Sequence, residues 1–409
     1  MLIINYLKIN IITILLLASN INCSTSQTTA ATETQKGNSV KSEIVVGAVQ
    51  TELYIDQLNN KRIGLVVNQT SMIGDVHLVD YMYQKKLNII RIFAPEHGFR
   101  GDADAGEHVT DGKDKTTNLP IKSLYGSSKK PSEADLSDLD VVVFDIQDVG
   151  ARFYTYISTL HYVMDACAQY HKKLIVLDRP NPNGHYVDGP ILEKTVQSFV
   201  GLDPLPIVHG MTIGELAQMI NGENWLESKQ KCDLTIIKCL NYNHQKHYDL
   251  PIPPSPNLRT MRAIYMYPTL CLFEGTCVSV GRGTEFPFEM WGSPSYKNGN
   301  HDFTPKPGIG SKDPFQNGKK CNGFCIHEKS IDKINNMQQL DLELIINFYK
   351  NSLDKNKFFL ENNFFDKLAG NSTLRKQIIE GKNEAEIHKS WELGLNDFKA
   401  KREKYLIYP

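Results

Sequence analysis

Short apolar segments alternate with candidate helices through the first 245 residues of the chain. Four such segments are rich in Val and Ile and bounded by polar or turn-forming residues: 62–68, 88–93, 140–146 and 173–178. Continuous apolar runs of this length are typical of parallel strands that are buried on both faces. Candidate helices at 78–85 and 156–170 lie between them. This alternation predicts an α/β fold built on a doubly wound parallel sheet.

The pattern changes after about residue 245. Residues 251–256, PIPPSP, form a proline-dense connector, and the last third of the chain contains helical candidates at 340–350 and 372–380. Because strands and helices no longer alternate there, we predict a separate, smaller α+β domain. The expected boundaries are 44–245 for the first domain and 246–409 for the C-terminal domain.

The N-terminus has the features of a secretory signal. Residues 9–18 form an apolar run that is too short to span a bilayer permanently, so we predict a signal peptide over 1–22. We predict that Cys23 is lipidated and starts a flexible polar linker over 23–43. Residues 20–22, Asn-Ile-Asn, depart from the usual lipobox, so secretion without a lipid stays an alternative. The expected protein is exported and lipid-anchored to a bacterial membrane, facing the periplasm or the cell surface.

Composition and motifs exclude several classes of function. The formal net charge is −1 and 22% of residues are charged, so the chain lacks a strong field that would attract nucleic acid. The sequence has no Walker-type loop and no HExxH motif, and Gly281-Arg282-Gly283 lacks the third glycine of a dinucleotide fingerprint. Ser279 lacks the preceding glycine of a nucleophile elbow. We expect no nucleotide, no other cofactor and no resident metal.

Polar side chains follow all four predicted strands at the point where each strand ends. They are Asn68 to Ser71, Glu96 and His97, Asp145 and Asp148, and Asp178 and Arg179. The carboxyl ends of parallel strands share one edge of a sheet, and ligands of open α/β sheets bind outside that edge. The sequence therefore predicts a polar crevice there.

Residues 93–106, FAPEHGFRGDADAG, contain the densest group of functional side chains in this crevice. Glu96, His97 and Arg100 fall within five residues of one another, among glycines that let the backbone turn sharply and approach a ligand. The apolar neighbours of Glu96 favour a protonated carboxyl, as a general acid requires, whereas His97 and Arg100 oppose it when charged. The segment is therefore a candidate site of acid–base chemistry.

The residue types leave two kinds of hydrolysis open. A metal-dependent hydrolase would use Glu96, His97, Glu107 and His108 as ligands. Hydrolysis of a glycosidic bond instead needs a protonated carboxyl for the leaving oxygen and a second group at the anomeric carbon. The carboxylates available for this second chemistry are Glu96, Glu107, Asp145, Asp148, Asp178, Glu274, Glu285 and Glu289.

An ordered set of motifs carries a resemblance to a known family. The motifs are GLVVNQTS (64–71), FAPEHGFRG (93–101), LPIKSLYG (119–126), VFDIQDVGARFYTYISTL (143–160), LDRPNPNG (177–184), HGMTIGELA (209–217), PPSPNL (253–258) and FEGTCVSVGRGTEFPFE (273–289). In this order they closely resemble the bacterial NamZ-like exo-β-N-acetylmuramidases, a family of glycoside hydrolases. The resemblance extends from about residue 44 to the segment 402–408.

The resemblance implies a fold and an activity. The fold is a Rossmann-like catalytic domain without a nucleotide and a smaller C-terminal domain that completes the cleft. The activity is the release of N-acetylmuramic acid (MurNAc) from the non-reducing ends of peptidoglycan fragments, in cell-wall turnover and recycling. The implied partners are MurNAc-GlcNAc saccharides or muropeptides. Glu96 occupies the position of the family's proposed catalytic acid, and His97 would support it.

The resemblance also suggests roles for other residues of the crevice. For the lactyl carboxylate of MurNAc the candidates are Arg100, Arg152, Arg179 and Arg282, each with an internal salt bridge as the alternative. Hydroxyl and acetamide groups would be bound by Asn68, Asn181, Asn183 and Asn257, with Asp178 and Glu274 as further substrate contacts. The second catalytic group would be Asp145, Asp148, Glu274 or the substrate's own acetamido group. A non-catalytic surface lipoprotein that binds peptidoglycan fragments remains a different class of function.

Overall fold

The structure, a computed structural model, describes residues 43–100, 111–126 and 128–409. The predicted signal peptide, Cys23 and the linker up to residue 42 lie outside the described residues, as do Glu107 and His108 of the metal hypothesis. Glu43–Pro409 is a single compact unit. In the part of the chain that the structure describes, no helix has the length and apolar character needed to cross a membrane.

The strands of the described residues form three sheets. The strands are β1 (Ile63–Val67), β2 (Met72–Ile73), β3 (Val76–His77), β4 (Ile89–Ala94), β5 (Gly112–Lys113), β6 (Pro120–Ser123), β7 (Val141–Asp145), β8 (Lys173–Leu177), β9 (Asp233–Ile237), β10 (Met290–Ser293), β11 (His301–Phe303) and β12 (Cys321–Cys325). The largest sheet has the order β5-β6-β4-β1-β7-β8-β9. Its neighbours pair in parallel, except that β5 is antiparallel to β6.

The order from β6 to β9 confirms the predicted fold class. If the six parallel strands are numbered along the chain, their spatial order is 3-2-1-4-5-6, the Rossmann arrangement. The chain builds one half of the sheet from β1 to β6 and then crosses back to β7 on the other side of β1. The four strands predicted from apolar runs begin and end within one residue of the prediction.

The helices cover both faces of this sheet and build the C-terminal part. They are α1 (Ile55–Leu58), α2 (Leu78–Gln84), α3 (Glu133–Leu136), α4 (Tyr156–Gln169), α5 (Ile213–Gly222), α6 (Met261–Leu270), α7 (Glu343–Lys350), α8 (Phe364–Ala369), α9 (Thr373–Ile379) and α10 (Glu384–Arg402). The predicted helices at 78–85, 156–170, 340–350 and 372–380 correspond to α2, α4, α7 and α9.

Strand β1 shows why continuous apolar runs form the centre of this sheet. Successive side chains of a strand point to opposite faces. Ile63, Leu65 and Val67 pack into the core that α1 and α2 cover, whereas Val66 packs into the core that α4 and α5 cover. Because both faces are buried, the strand has no position for a polar residue until Asn68, just beyond its carboxyl end.

The C-terminal part contains a small antiparallel sheet of order β10-β12-β11 and the helices α7 to α10. The end of the chain then returns to the large sheet. Arg402 donates to the carbonyl of Gly210 at 2.8 Å, and the Tyr408 hydroxyl donates to the Asp178 carboxylate at 2.6 Å. The last residues are therefore part of the N-terminal core, and the predicted boundary at residue 245 stays a prediction.

Candidate active site

A cavity of about 390 Å³ lies between the carboxyl edge of the large sheet and the C-terminal part. Its volume is within the range of roughly 300–1,000 Å³ that is usual for small-molecule sites. The side chains that line it are Glu96, His97, Tyr125, Lys129, Phe153, Tyr154, Thr155, Phe199, Val200, Ser255, Leu258, Tyr267, Cys271, Glu274, Arg282, Phe288, Phe364 and Leu368. Four of the predicted site residues meet here: Glu96, His97, Glu274 and Arg282.

The turn after β4 brings Glu96 and His97 to the cavity. The amide of Gly98 donates to the carbonyl of Pro95 at 3.0 Å, which closes a four-residue turn. His97 is the third residue of this turn and has a φ of 68°, a conformation that glycine or asparagine usually adopts. Non-glycine residues with positive φ are strained and concentrate at functional sites. The backbone therefore holds His97 in an unfavourable conformation beside the candidate acid.

Hydroxyl groups surround the Glu96 carboxyl. The Thr155 hydroxyl donates to Glu96 Oε2 at 2.5 Å. Thr155 directly precedes α4, but its side chain does not cap that helix, so its hydroxyl can donate to Glu96. Burial and the negative charge of Glu96 raise the pKa of Tyr125, so the phenol stays protonated and can donate. The wall around Glu96 therefore orients its carboxyl through neutral donors.

Glu274 and Arg282 form an ion pair on the opposite wall. Arg282 Nε lies 2.5 Å from Glu274 Oε1, and the guanidinium lies 5.0 Å from the ring of Phe288. Burial acts to lower the pKa of Arg282, but the Glu274 carboxylate outweighs it and raises the pKa above its usual value. The pair thus places a carboxylate and a fixed cation in the cavity, and the two charges cancel each other.

Close backbone packing positions Glu274. It lies on the 3₁₀ helix Cys271–Gly275, which packs against α8. A Cβ atom at Gly275 would lie 2.4 Å from the Cα of Phe365, so only glycine permits this approach. The sequence FEG at 273–275 therefore combines a functional carboxylate with the residue that lets its segment dock.

The two aspartates predicted as catalytic partners do not line the cavity. Asp145 is fully buried and forms a bidentate ion pair with Arg179, with N–O distances of 2.6 and 2.9 Å. Asp148 is also buried and accepts a hydrogen bond from the amide of Gly150 at 2.7 Å. The strand-end position of these residues is as predicted, but their partners are internal. Arg179 takes the salt-bridge alternative.

Asp178 is likewise buried beneath the carboxyl edge of the sheet. Its Oδ1 accepts from the amides of Arg179 and Gly214, and its Oδ2 accepts from the hydroxyls of Thr212 and Tyr408. Burial raises the pKa of Asp178 to about 6, because these donors compensate only part of the cost of desolvating the charge. This carboxyl joins α5 and the end of the chain to β8 and does not line the cavity.

The remaining predicted binding residues are also engaged elsewhere. Arg152 is fully buried and donates to the carbonyls of Pro190, Leu205 and Leu368, so it joins the large sheet to α8. The exposed Arg100 pairs with Asp80 and with the buried carboxylate of Asp114. The four predicted asparagines are buried with internal partners: Asn68 to Thr70, Asn181 to Met211, Asn183 to Val149 and Asn257 to Gly310.

The proline-dense connector packs against the loops that follow β1 and β7. The carbonyl of Pro254 accepts from the hydroxyl of Tyr154 at 2.8 Å and from the side chain of Gln69 at 3.0 Å. The connector thus occupies the space outside β1 and β7, where the strand order reverses and a Rossmann domain usually binds its ligand. The cavity is displaced toward the turn after β4.

Sequence reasoning missed Thr155, Lys129 and Phe199. Thr155 lies inside the FYTYISTL motif, which offered a signal because it is the one residue between an aromatic pair and the start of α4. Lys129 and Phe199 lie in loops without a distinguishing pattern. Only the fold brings them to the cavity.

Two alternatives to this cavity, a second cavity and a metal centre, have less support among the described residues. A cavity of about 890 Å³ lies against α7 in the C-terminal part, but it contains none of the predicted site residues. Among the residues that the structure describes, no group of three or more His, Cys, Asp or Glu side chains is arranged to hold a metal ion. The smaller cavity is therefore the candidate active site.

Comparisons with known proteins identify the family of the chain. The sequence model described as "Exo-beta-N-acetylmuramidase NamZ, N-terminal" matches residues 63–262, and its C-terminal counterpart matches residues 265–408. The peptidoglycan beta-N-acetylmuramidase NamZ of Bacillus subtilis (strain 168) is 38% identical, over 93% of this chain and 95% of that protein.

Two crystal structures of DUF1343 family proteins from Bacteroides fragilis NCTC 9343 share the fold. One is 47% identical with a TM-score of 0.83, and the other is 27% identical with a TM-score of 0.77. In both cases the match covers 90% of this chain and 99% of the other chain. With family models over both parts and a relative of this identity along nearly its whole length, the chain belongs to the NamZ exo-β-N-acetylmuramidase family.

Proposed function

We propose that this protein is an exo-acting glycoside hydrolase that releases MurNAc from the non-reducing ends of peptidoglycan fragments, in cell-wall turnover and recycling. Glu96 is the general acid. The observation that carries this proposal is the placement of Glu96 in a cavity shared by both parts of the chain, with a 2.5 Å hydrogen bond from Thr155. A cavity of about 390 Å³ suits one terminal sugar better than the long groove that an endo-acting enzyme needs.

In this mechanism the Glu96 carboxyl gives its proton to the oxygen that links MurNAc to the next sugar. Departure of that sugar leaves positive charge at the anomeric carbon, which a second group must stabilise or attack. Water then supplies the new hydroxyl at that carbon, and a carboxylate of the site takes up the proton that the water loses. Of the three carboxylates predicted for this role, Glu274 is the one that lines the cavity, whereas Asp145 and Asp148 are buried beneath it. Glu274 is therefore our candidate, with the acetamido group of the substrate as the alternative.

The test compares Glu96→Gln with wild type on two substrates. On a MurNAc-GlcNAc disaccharide the leaving oxygen needs a proton, and we expect a loss of about 10²–10⁴-fold in kcat/KM. On a p-nitrophenyl β-N-acetylmuramide the leaving group departs without full protonation, so the loss should be much smaller. Glu285→Gln is the matched control, because Glu285 is exposed and lies outside the cavity. Equal losses on both substrates, or none, contradict the role of Glu96 as acid.

The same assays separate the two alternatives. A metal-dependent hydrolase would lose activity in EDTA and regain it with metal. A non-catalytic binding protein would bind the disaccharide and leave it intact. Monitoring the anomer of released MurNAc by NMR distinguishes retention from inversion.

Export and anchoring at the membrane belong to the same proposal. They rest on the apolar run at 9–18 followed by Cys23 and a polar tract. Mass spectrometry of the mature N-terminal peptide tests them, and an unmodified Cys23 would contradict the lipid anchor.

A further inference from the structure

The lactyl carboxylate that distinguishes MurNAc from N-acetylglucosamine (GlcNAc) needs a cation in the site. Of the four arginines predicted for this role, three lie outside the cavity and are engaged with internal or surface partners. The fourth, Arg282, lines the cavity but is bound to Glu274 at 2.5 Å. A carboxylate that approached Arg282 would compete with Glu274 for the same guanidinium. Another cation is therefore better suited to the substrate.

Lys129 is such a cation. It lines the cavity, and its ammonium donates to the carbonyl of Gly126 at 3.0 Å and lies 5.2 Å from the centre of the Phe199 ring. Within the described residues it forms no ion pair, so its charge is not neutralised by a carboxylate there. An ammonium has three donors, and the Gly126 carbonyl takes one of them.

The adjacent lysine shows that this arrangement is specific to Lys129. Lys130 pairs with the fully buried carboxylate of Asp165 and also donates to the Gln169 side chain at 3.1 Å. Two consecutive lysines thus have different partners: Lys130 joins its loop to α4, whereas Lys129 donates to the Gly126 carbonyl and lines the cavity.

The surroundings of Lys129 strengthen its interaction with an anion. Phe199 packs beside Tyr125, with ring centroids 5.8 Å apart, and both rings line the cavity. The Phe199 ring excludes water from one side of the ammonium, and a charge pair gains strength where water is excluded. Tyr125 is also the phenol whose pKa Glu96 helps to raise, so this wall extends from the acid to Lys129.

We propose that Lys129 binds the lactyl carboxylate of MurNAc and thereby selects MurNAc glycosides over GlcNAc glycosides. This inference rests on the proposed function, because it concerns the substrate of the same site. Lys129 is a substrate-binding residue, and the proton transfer by Glu96 does not depend on it.

The experiment compares Lys129→Met and Lys129→Arg with wild type on p-nitrophenyl β-glycosides of MurNAc and of GlcNAc. For Lys129→Met we expect a loss of about 10- to 100-fold in kcat/KM on MurNAc, mainly through KM, since a charge-assisted hydrogen bond is removed. Activity on GlcNAc should be unchanged. Lys129→Arg keeps the charge and should retain the preference. Lys85→Met is the matched control, because Lys85 also lies over an aromatic ring, Tyr81, but is exposed outside the cavity.

Calorimetry provides a readout that does not require turnover. Wild type should bind free MurNAc more tightly than its uncharged lactyl amide, and Lys129→Met should bind the two ligands equally. If Lys129→Met keeps the wild-type preference, or loses activity equally on both glycosides, the inference is overturned. Failure of the proposed function has another signature: wild type would neither cleave nor bind any MurNAc ligand, and the inference would fall with it.

Discussion

Replacing Asp178 by Asn should make the stability of the protein depend differently on pH. Four groups donate hydrogen bonds to this buried carboxyl. Two of them, the Thr212 hydroxyl and the Gly214 amide, lie at the start of α5, and the others are the Tyr408 hydroxyl and the Arg179 amide. The pKa of Asp178 rises to about 6 on folding because burial disfavours the charge. An amide of the same shape removes the ionisation but keeps an oxygen for the two backbone donors.

The magnitude follows from the linkage between proton binding and folding. With an ordinary pKa of 3.8 and a folded value of about 6, the native state holds a proton that the unfolded chain has lost. The contribution of Asp178 to the stability of wild type therefore falls as pH rises from about 4 to about 6, by about 3 kcal/mol in total. About 2 kcal/mol of this falls between pH 4.5 and pH 7.5. Asp178→Asn has no titrating carboxyl at this position. The unfolding free energy of the mutant minus that of wild type should therefore rise by about 2 kcal/mol between pH 4.5 and pH 7.5.

Urea unfolding followed by circular dichroism at pH 4.5, 6 and 7.5 measures this difference. Asp140→Asn is the control, because Asp140 is partly exposed and Arg62 lowers its pKa, so its contribution to stability changes only below about pH 4. Any constant loss from weaker hydrogen bonds shifts all three Asp178→Asn values equally. A difference that stays flat within about 0.5 kcal/mol, or that falls with pH, refutes the reasoning.

Two further predictions concern the turn and the hydroxyl beside Glu96. Thr155→Val should lower kcat/KM about tenfold with little change in stability, because the Thr155 hydroxyl donates to Glu96 and does not cap α4. Thr155→Ser keeps the hydroxyl and should retain activity. His97→Gly should be more stable than His97→Ala by about 1 kcal/mol, since only glycine adopts the φ of 68° without strain. Thermal unfolding and the disaccharide assay measure both effects, and equal stability of the two His97 variants would contradict the strain.

Much of the fold was predictable because its determinants are local. The four Val- and Ile-rich runs became β1, β4, β7 and β8 to within one residue, since strands that are largely buried on both faces need apolar side chains at most of their positions. The outer strands β5, β6 and β9 were not predicted. They lie at or near the edges of the sheet, where β9 is only partly buried and the pairing depends on neighbours that the local sequence does not reveal.

The site was only partly predictable because residue type does not identify a partner. Glu96 and Asp145 lie at the carboxyl ends of two strands at the same edge of the sheet, and a carboxylate at that position does not by itself reveal whether it reaches a cavity. The fold separates them: Asp145 meets Arg179 in the interior, whereas Glu96 lies on a tight turn that carries it into the cavity. Arg152 is the clearest case, because an arginine of the motif at 143–160 joins two parts of the chain instead of lining the cavity.

The sequence by itself determined the α/β class, the order of the main strands along the chain, the position of the polar loops at their ends and the resemblance to the family. These depend on hydrophobic periodicity, turn residues and ordered motifs, all of which are local in the chain. The tertiary structure decided which polar groups stay accessible. The connector at 253–254 covers one part of the sheet edge, and the C-terminal part brings Glu274 opposite Glu96. Such choices depend on contacts between residues far apart in sequence, which only the folded chain brings together.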